Sequence, residues 1–143
     1  MVAERIPATL QLGSAAFTFA IVCGLPLGIF AAIHRNTLID RLVMTTAVLG
    51  YAIPNFFLGI LLILFFTVWL RWLPSSGSDS LWNMIMPVLT LGTAGMGAMA
   101  RFSRSSMLEV LNQPYMRTAK AKGAQRLRRI LRHALPNAAI PVV

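Results

Sequence analysis

The sequence predicts an all-α polytopic membrane protein: a transmembrane helical bundle with a basic two-helix segment at one membrane face. Three observations indicate this class. Of the 143 residues, 57% are hydrophobic and only 12% are charged, whereas charged residues make up about 25% of a typical soluble protein. The chain contains three long stretches without a charged side chain, and nine of its 13 Lys and Arg residues lie between Arg101 and Arg132. The length suits a single domain.

The three uncharged stretches predict three membrane spans. They cover residues 10–33, 42–70 and 81–100. A helix needs about 20 apolar residues to cross a bilayer, and each stretch reaches that length. The first stretch is too long for a secretory signal, its N-terminal flank is weakly charged, and further spans follow it.

Each predicted span contains one proline, and two of the spans contain closely spaced glycines. The prolines are Pro26, Pro54 and Pro87. The glycines are Gly24 and Gly28 in the first span and Gly92, Gly95 and Gly97 in the third. A membrane bundle tolerates such prolines because neighbouring helices or water can bond the carbonyl groups that a proline frees. The glycines favour close helix packing over contact with a substrate.

The charges between the spans predict their orientation. The link 34–41 carries two arginines, the link 71–83 with its sequence WLPSSGSDS carries one, and the residues after Ala100 carry nine cations. The positive-inside rule then places the first link and the basic residues in the cytoplasm, and Met1 and the second link outside. The last ten residues, 134–143, are apolar but too few to span, and they predict the start of a further span.

The cytoplasmic loop, residues 101–133, is predicted to contain two short helices. The third span is expected to continue past Ala100 and to stop near Asn112, which can cap a new helix with Pro114 in its first turn. Gly123 interrupts that helix. A second amphipathic helix follows, and Pro136 is expected to end or kink it. Its apolar stripe is Leu127, Ile130, Leu131 and Ala134, with the spacing of one helix face.

Three functions are compatible with this basic loop. It could rest on anionic lipid headgroups, bind nucleic acid, or dock a cytoplasmic partner. The scarcity of aromatic residues among the cations argues against nucleic acid. The break at Gly123 favours docking, because a lipid anchor needs no break. On physical grounds alone the margin between docking and lipid binding is slight, and both stay open.

A series of motifs resembles the permeases of ABC importers. Arg117-Thr118-Ala119, Gly123 and Leu135-Pro136 have the spacing of that family's cytoplasmic loop signature, with Arg117 in the place of its Glu and His133 in the place of its Ile. An Arg-Thr-Ala version is usual in the dipeptide, oligopeptide and nickel branch. Further stretches similar to that branch are RIPATLQLG, GLPLGIFAA, DRLV, IPNFFLGILLILF, WLPSSG and RRILRHALPNAAIPVV. The resemblance covers essentially the whole chain. Because such permeases are about twice as long, it implies an internal fragment or a truncated reading frame.

The resemblance implies an ATP-driven importer of di- or oligopeptides, with this chain as a multi-pass permease subunit of a bacterial-type plasma (inner) membrane. In the family, the loop helix inserts into a cleft of a cytoplasmic ATPase and transmits nucleotide-driven closure to the membrane bundle. Carried over to this chain, the coupling residues are Tyr115, Met116, Arg117, Thr118, Ala119, Lys120, Gly123, Leu135 and Pro136. Met116 and Ala119 are expected to supply the buried contact, and Arg117, Lys120 and Lys122 its polar rim.

The resemblance also implies partners. These are cytoplasmic ABC ATPase subunits, a second permease subunit in a heterodimer, a periplasmic or extracellular substrate-binding protein, and membrane lipid; no nucleic acid is expected. The substrate is left open between dipeptide, oligopeptide and nickel. The alternatives to a peptide permease are a nickel permease and a non-transporting membrane remnant that binds anionic lipid.

The sequence predicts a transporter subunit without an ATPase site of its own. It contains no Gly-x-x-x-x-Gly-Lys-Ser/Thr loop to hold nucleotide phosphates. The acids are Glu4, Asp40, Asp79 and Glu109. None lies within a predicted span, so proton or sodium coupling has no obvious relay, and the energy is expected to come from a partner ATPase.

No metal site or cofactor is predicted. His34 and His133 are far apart in the sequence and the eight Met residues are scattered, so no ligand cluster is recognisable. Tyr51, Pro54 and Asn55 are the candidates for lining a translocation pathway, because a polar amide within a span is costly against lipid. Packing against a neighbouring helix is the competing role for Asn55.

Overall fold

The computed structural model describes residues 2–75 and 80–140, and this part of the chain contains only helices and turns. Met1 and residues 141–143 lie outside the described residues, as does part of the predicted outer loop, 76–79. The helices are α1 (Val2–Ile33), α2 (Leu38–Ala52), α3 (Asn55–Leu62, extended by a π-helical segment, Ile63–Trp69), α4 (Leu81–Leu111), α5 (Pro114–Ala121), α6 (Arg126–Arg129, extended by a π-helical turn, Ile130–Ala134) and α7 (Leu135–Ala139). The predicted all-α class is confirmed.

Helices α1 and α4 are each long and apolar enough to cross a membrane, and they pack against each other along much of their length. Glycines make this close approach possible. A Cβ added at Gly24 would lie 2.7 Å from the carbonyl oxygen of Met96, and one added at Gly28 would collide with the carbonyl oxygen of Ala100. The hydroxyl of Ser103 on α4 also donates to the carbonyl oxygen of Leu25 on α1, at 3.2 Å. The α1–α4 contact is therefore one of backbone against backbone.

The predicted second span is bent sharply at Pro54. Helix α2 ends with Ile53 in an extended conformation, and α3 leaves at 103° to α2. Proline disfavours the helical conformation of the residue that precedes it, and Ile53 has φ −73° and ψ 125°. The other two prolines have no such effect, since Pro26 and Pro87 lie inside continuous helices. The α2–α3 pair is thus either one broken span or a re-entrant segment, rather than a straight helix over 42–70.

Three local expectations for the loop region differ from the structure. Asn112 ends α4, and the residue that precedes α5 is Gln113, which makes no side-chain capping bond. The helix does not end at Pro136, because the π-helical turn just before it leads directly into α7. The apolar stripe is also shifted: Leu127 and Leu131 are exposed. The buried side chains are Ile130, Ala134 and Ala138, four residues apart.

Candidate functional site

The basic helices rest on an apolar cluster built entirely within the chain. Its buried members are Ala32, Met107, Met116, Ile130, Ala134 and Ala138. These residues come from α1, α4, α5, the π-helical turn and α7, so five segments meet at one point. Met107 is completely buried at the centre. A side chain of this size buried among apolar neighbours contributes on the order of 2 kcal/mol to stability, so α5 is held by packing as well as by its covalent links.

The turn after α5 is a Schellman motif formed around Gly123. The amide of Gly123 donates to the carbonyl oxygen of Lys120 at 3.0 Å, and the amide of Ala124 donates to that of Ala119 at 3.2 Å. Gly123 has φ +79°, a left-handed conformation that favours glycine. The predicted break between two short helices is therefore present, and it is a hydrogen-bonded, defined turn.

Helix α6 is tied to the end of α1 by an arginine. The guanidinium of Arg126 donates through Nη2 to the carbonyl oxygen of Ile33, at 2.7 Å. Ile33 is the last residue of α1, where helix carbonyls have no partner inside the helix. A basic side chain at this position also meets the negative end of the helix dipole. This hydrogen bond therefore holds the start of α6 next to the end of α1.

A salt bridge holds the first turn of α2 against α4. Arg104 donates from Nε to Oδ1 and from Nη2 to Oδ2 of Asp40, both at 2.7 Å. The Asp40 carboxylate is buried and also accepts from the amide of Asn36 at 3.1 Å. Thr37 caps α2 and accepts from the amide of Asp40. Two parallel charge-assisted bonds of this kind define distance and orientation together.

The sequence reasoning missed this salt bridge. The spacing Thr37-x-x-Asp40 is a capping signal that could have located the start of α2. No local signal could have paired Asp40 with Arg104, which lies 64 residues away.

The structure divides the predicted coupling residues between two faces of α5. Met116 points into the cluster described above, whereas it was expected to supply contact to a partner. Tyr115, Arg117, Thr118 and Lys120 are exposed, and Ala119 is half-buried. On α7, Leu135 packs against the cluster and Pro136 is exposed.

The candidate pathway residues lie together at the bend between α2 and α3. Tyr51 is in the last turn of α2, Pro54 is at the bend and Asn55 begins α3. All three are exposed. The exposed fraction of Tyr51 is 62%, so the chain itself covers little of this side chain.

No group of three or more His, Cys, Asp or Glu side chains in residues 2–75 and 80–140 is arranged to hold a metal ion.

Comparison with known proteins identifies the family. Residues 24–143 match the family described as binding-protein-dependent transport system inner membrane component. The chain is 49% identical over 142 residues to the glutathione transport system permease protein GsiC of Escherichia coli (strain K12), a match that covers 99% of this chain and 46% of that protein. The proteins of the same name from Shigella dysenteriae serotype 1 (strain Sd197) and Salmonella typhimurium (strain LT2) give the same identity and coverage.

The chain thus spans about half the length of the curated relatives it matches. The family match takes in α2 to α7 and the part of α1 from Gly24 onwards, so it includes the basic loop and the part of the α1–α4 contact that Gly24 and Gly28 form. The resemblance inferred from the motifs is confirmed, and the chain belongs to the inner-membrane permease components of binding-protein-dependent ABC importers.

Proposed function

We propose that this chain is the membrane-spanning permease part of an ATP-driven importer of small peptides, and that α5 couples a cytoplasmic ATPase to translocation. The single observation that carries the coupling role is the seating of α5. One face of this helix is anchored by Met116 in the chain's own apolar cluster, and the opposite side chains are free for a partner. A helix anchored in this way can transmit force, because its displacement must move α4, α1 and α7 with it.

The free side chains of α5 suit a protein partner. Tyr115 is 41% exposed and offers a rigid aromatic surface, a residue type that often carries binding energy at interfaces. Arg117 and Lys120 of the same helix are also exposed and would form a polar rim. Ala119 is small and half-buried, so a partner could approach the helix backbone closely at that point.

The charge distribution supports a cytoplasmic location for the basic loop. Nine of the 13 Lys and Arg residues lie in it, and the positive-inside rule places such loops in the cytoplasm. The ATPase is therefore expected on this side, and a substrate-binding protein on the opposite side. A second permease subunit would complete the membrane pathway, to which we assign Tyr51, Pro54 and Asn55 at the α2–α3 bend.

The relatives support a peptide-type substrate. Several bear a name that specifies glutathione, which is a tripeptide, so we assign small peptides as the substrate class. Nickel is the competing substrate within this branch. Uptake of labelled glutathione or dipeptide, compared with uptake of nickel in the same cells, distinguishes the two.

Co-purification with the ATPase subunit of a binding-protein-dependent importer tests the coupling role. In the unchanged chain, we expect the ATPase to be retained in detergent at high salt, since apolar contacts survive screening. Ala119→Glu and Gly123→Pro should each abolish retention, the first by placing a charge in the contact and the second by destroying the turn. Arg132→Gln, on the exposed side of the following helix, is the control and should retain the ATPase. Binding to anionic vesicles without ATPase retention would instead support a membrane remnant.

Cysteine labelling in intact cells tests the orientation. Because Cys23 is the single cysteine, Lys120→Cys in a Cys23→Ala background gives one reactive position in the loop. A membrane-impermeant maleimide should label it only after the cells are opened. Labelling of intact cells would place α5 outside and overturn the coupling proposal.

A further inference from the structure

A cleft of about 320 Å³ lies between α5 and α6. Its polar lining consists of four cations, Arg117, Lys120, Arg126 and Arg129. Its apolar lining consists of Leu111, Met116 and Ile130. The volume is at the lower end of the range for small-molecule sites, and the lining joins a strongly positive rim to an apolar floor.

The positive charge of the cleft is not neutralised within the described chain. Residues 101–133 contain nine cations and one acid, Glu109, and the one ion pair among residues 2–75 and 80–140 joins Arg104 to Asp40 instead. In addition, Nε of Arg129 is buried and has no acceptor within those ranges. A buried donor without a partner is uncommon in proteins and often indicates a bound ion or water. The cleft therefore has the electrostatics of an anion site.

The contact of the cleft with the end of α1 indicates where the cleft lies relative to the membrane surface. Arg126 is hydrogen-bonded to the carbonyl oxygen of Ile33, and Ile33 is the last residue of the uncharged stretch 10–33. Over 24 residues a helix rises about 36 Å, slightly more than the roughly 30 Å of hydrocarbon in a bilayer. The cleft is thus at the level where the hydrocarbon ends and lipid phosphates begin.

We propose that this cleft binds the phosphate of an anionic membrane lipid, with the headgroup between Arg126 and Arg129 and the glycerol region over Ile130 and Met116. Arginine pairs with phosphate through parallel hydrogen bonds, and basic pockets of this kind at the cytoplasmic side of membrane helices bind acidic headgroups. The apolar floor and the depth favour a lipid over the acidic surface of a protein. Arg117 and Lys120 belong both to the lining of this cleft and to the proposed polar rim of the docking face. The lipid contacts assigned to Arg126, Arg129, Ile130 and Met116 do not use those two side chains and do not rest on the proposed docking of the ATPase.

The site predicts selective retention of an acidic lipid. The chain is reconstituted in phosphatidylcholine nanodiscs containing a small fraction of photoreactive phosphatidylglycerol, and cross-linking is measured for the unchanged chain and for two double variants. Arg126→Gln/Arg129→Gln should reduce cross-linking about tenfold or more, because both guanidinium–phosphate contacts proposed for the cleft are lost. The matched control Arg128→Gln/Arg132→Gln removes the same charge from the same helix outside the cleft, and it should reduce cross-linking by less than about twofold. Arg126→Lys/Arg129→Lys keeps the charge and should restore most of the cross-linking. Thermal unfolding of each variant in detergent separates lost binding from misfolding.

Two further arms identify the ligand. Excess inorganic phosphate should leave the cross-linking unchanged if the cleft holds a lipid, and its displacement of the lipid would show a site for free phosphate. Equal losses in the two Gln variants would show attraction by general charge and overturn the proposal. The proposal would also fail if Arg126→Gln/Arg129→Gln kept its lipid and lost only the co-purified ATPase, because the cleft would then serve a protein carboxylate.

Discussion

The basic end of the molecule and the α3 arm differ in how far this chain buries their side chains. At the basic end, Met107 is completely buried and Met116 is 5% exposed, and a bidentate salt bridge fixes α2 against α4. Helix α3 and its π-helical extension contain no buried residue. Phe56 is 73% exposed on this arm. Both regions have apolar side chains, so composition does not explain the contrast.

The two regions differ in whether other residues of this chain pack against their apolar side chains. The interactions that shape the basic end come from six helices of this chain, α1, α2 and α4 to α7, so its geometry can be tested on this chain alone. The α3 arm contacts mainly α4, and the described residues of this chain leave the rest of its surface uncovered. Mutations are therefore expected to have large effects on stability at the basic end and small ones on the arm.

The largest effect is expected where α1 contacts α4. In Gly28→Leu the added side chain collides with the backbone of Ala100 and with Ser103 Oγ, so the helices must separate. We expect the free energy of unfolding to fall by about 3 kcal/mol or more, measured as thermal unfolding in detergent. Gly13→Leu is the matched control on the same helix, because no atom of another helix lies within 4 Å of a Cβ added there. Equal melting temperatures for the two variants would contradict the backbone contact.

The second effect concerns the salt bridge between Asp40 on α2 and Arg104 on α4. Asp40→Asn leaves Arg104, which is 25% exposed, without its carboxylate partner. We expect the free energy of unfolding to fall by about 2 kcal/mol, a value between those for exposed and for buried ion pairs. A double-mutant cycle with Arg104→Gln measures the coupling directly, and strictly additive effects would show that the pair contributes nothing. Arg101→Gln, exposed on the same helix, serves as control and should change stability by less than about 0.5 kcal/mol.

The third effect tests the turn at Gly123. With φ at +79°, Gly123→Ala is strained although nothing lies within 4 Å of the added Cβ. We expect Gly123→Ala to lower the free energy of unfolding by about 1 kcal/mol. Gly123→Asn should lower it by less, since Asn tolerates the left-handed conformation better than Ala does. Gly13→Ala, within α1, should change stability in the opposite direction by about 0.5–1 kcal/mol. The same sign for Gly123→Ala and Gly13→Ala would refute the left-handed turn.

The sequence predicted the features that depend on local chemistry. Uncharged length located α1 and α4, and Gly123 located the turn between the two short helices. The sequence placed one proline in each predicted span, but the three prolines look alike in sequence. Only the folded surroundings distinguish the 103° bend at Pro54 from the continuous helices at Pro26 and Pro87.

The features that depend on distant residues could not be predicted. The contact of Asp40 with Arg104 joins positions 64 residues apart. Met116 lies on an apolar helix face, and periodicity cannot decide whether such a face meets the chain's own core or another protein. The same limit explains Leu127 and Leu131, which fit the predicted stripe but are exposed.

The smallest effect, and the sharpest comparison of the two regions, is expected for Phe56→Ala. This change removes more atoms than Met116→Ala, so a rule based on side-chain size predicts the larger loss on the arm. Burial predicts the reverse: Met116→Ala should cost about 2 kcal/mol or more because it opens a cavity in the cluster. Phe56→Ala should cost less than about 0.5 kcal/mol in this chain, since Phe56 is 73% exposed. Thermal unfolding of both variants in the same detergent decides between the rules, and a loss at Phe56 equal to that at Met116 would mean that the arm is packed as tightly as the basic end.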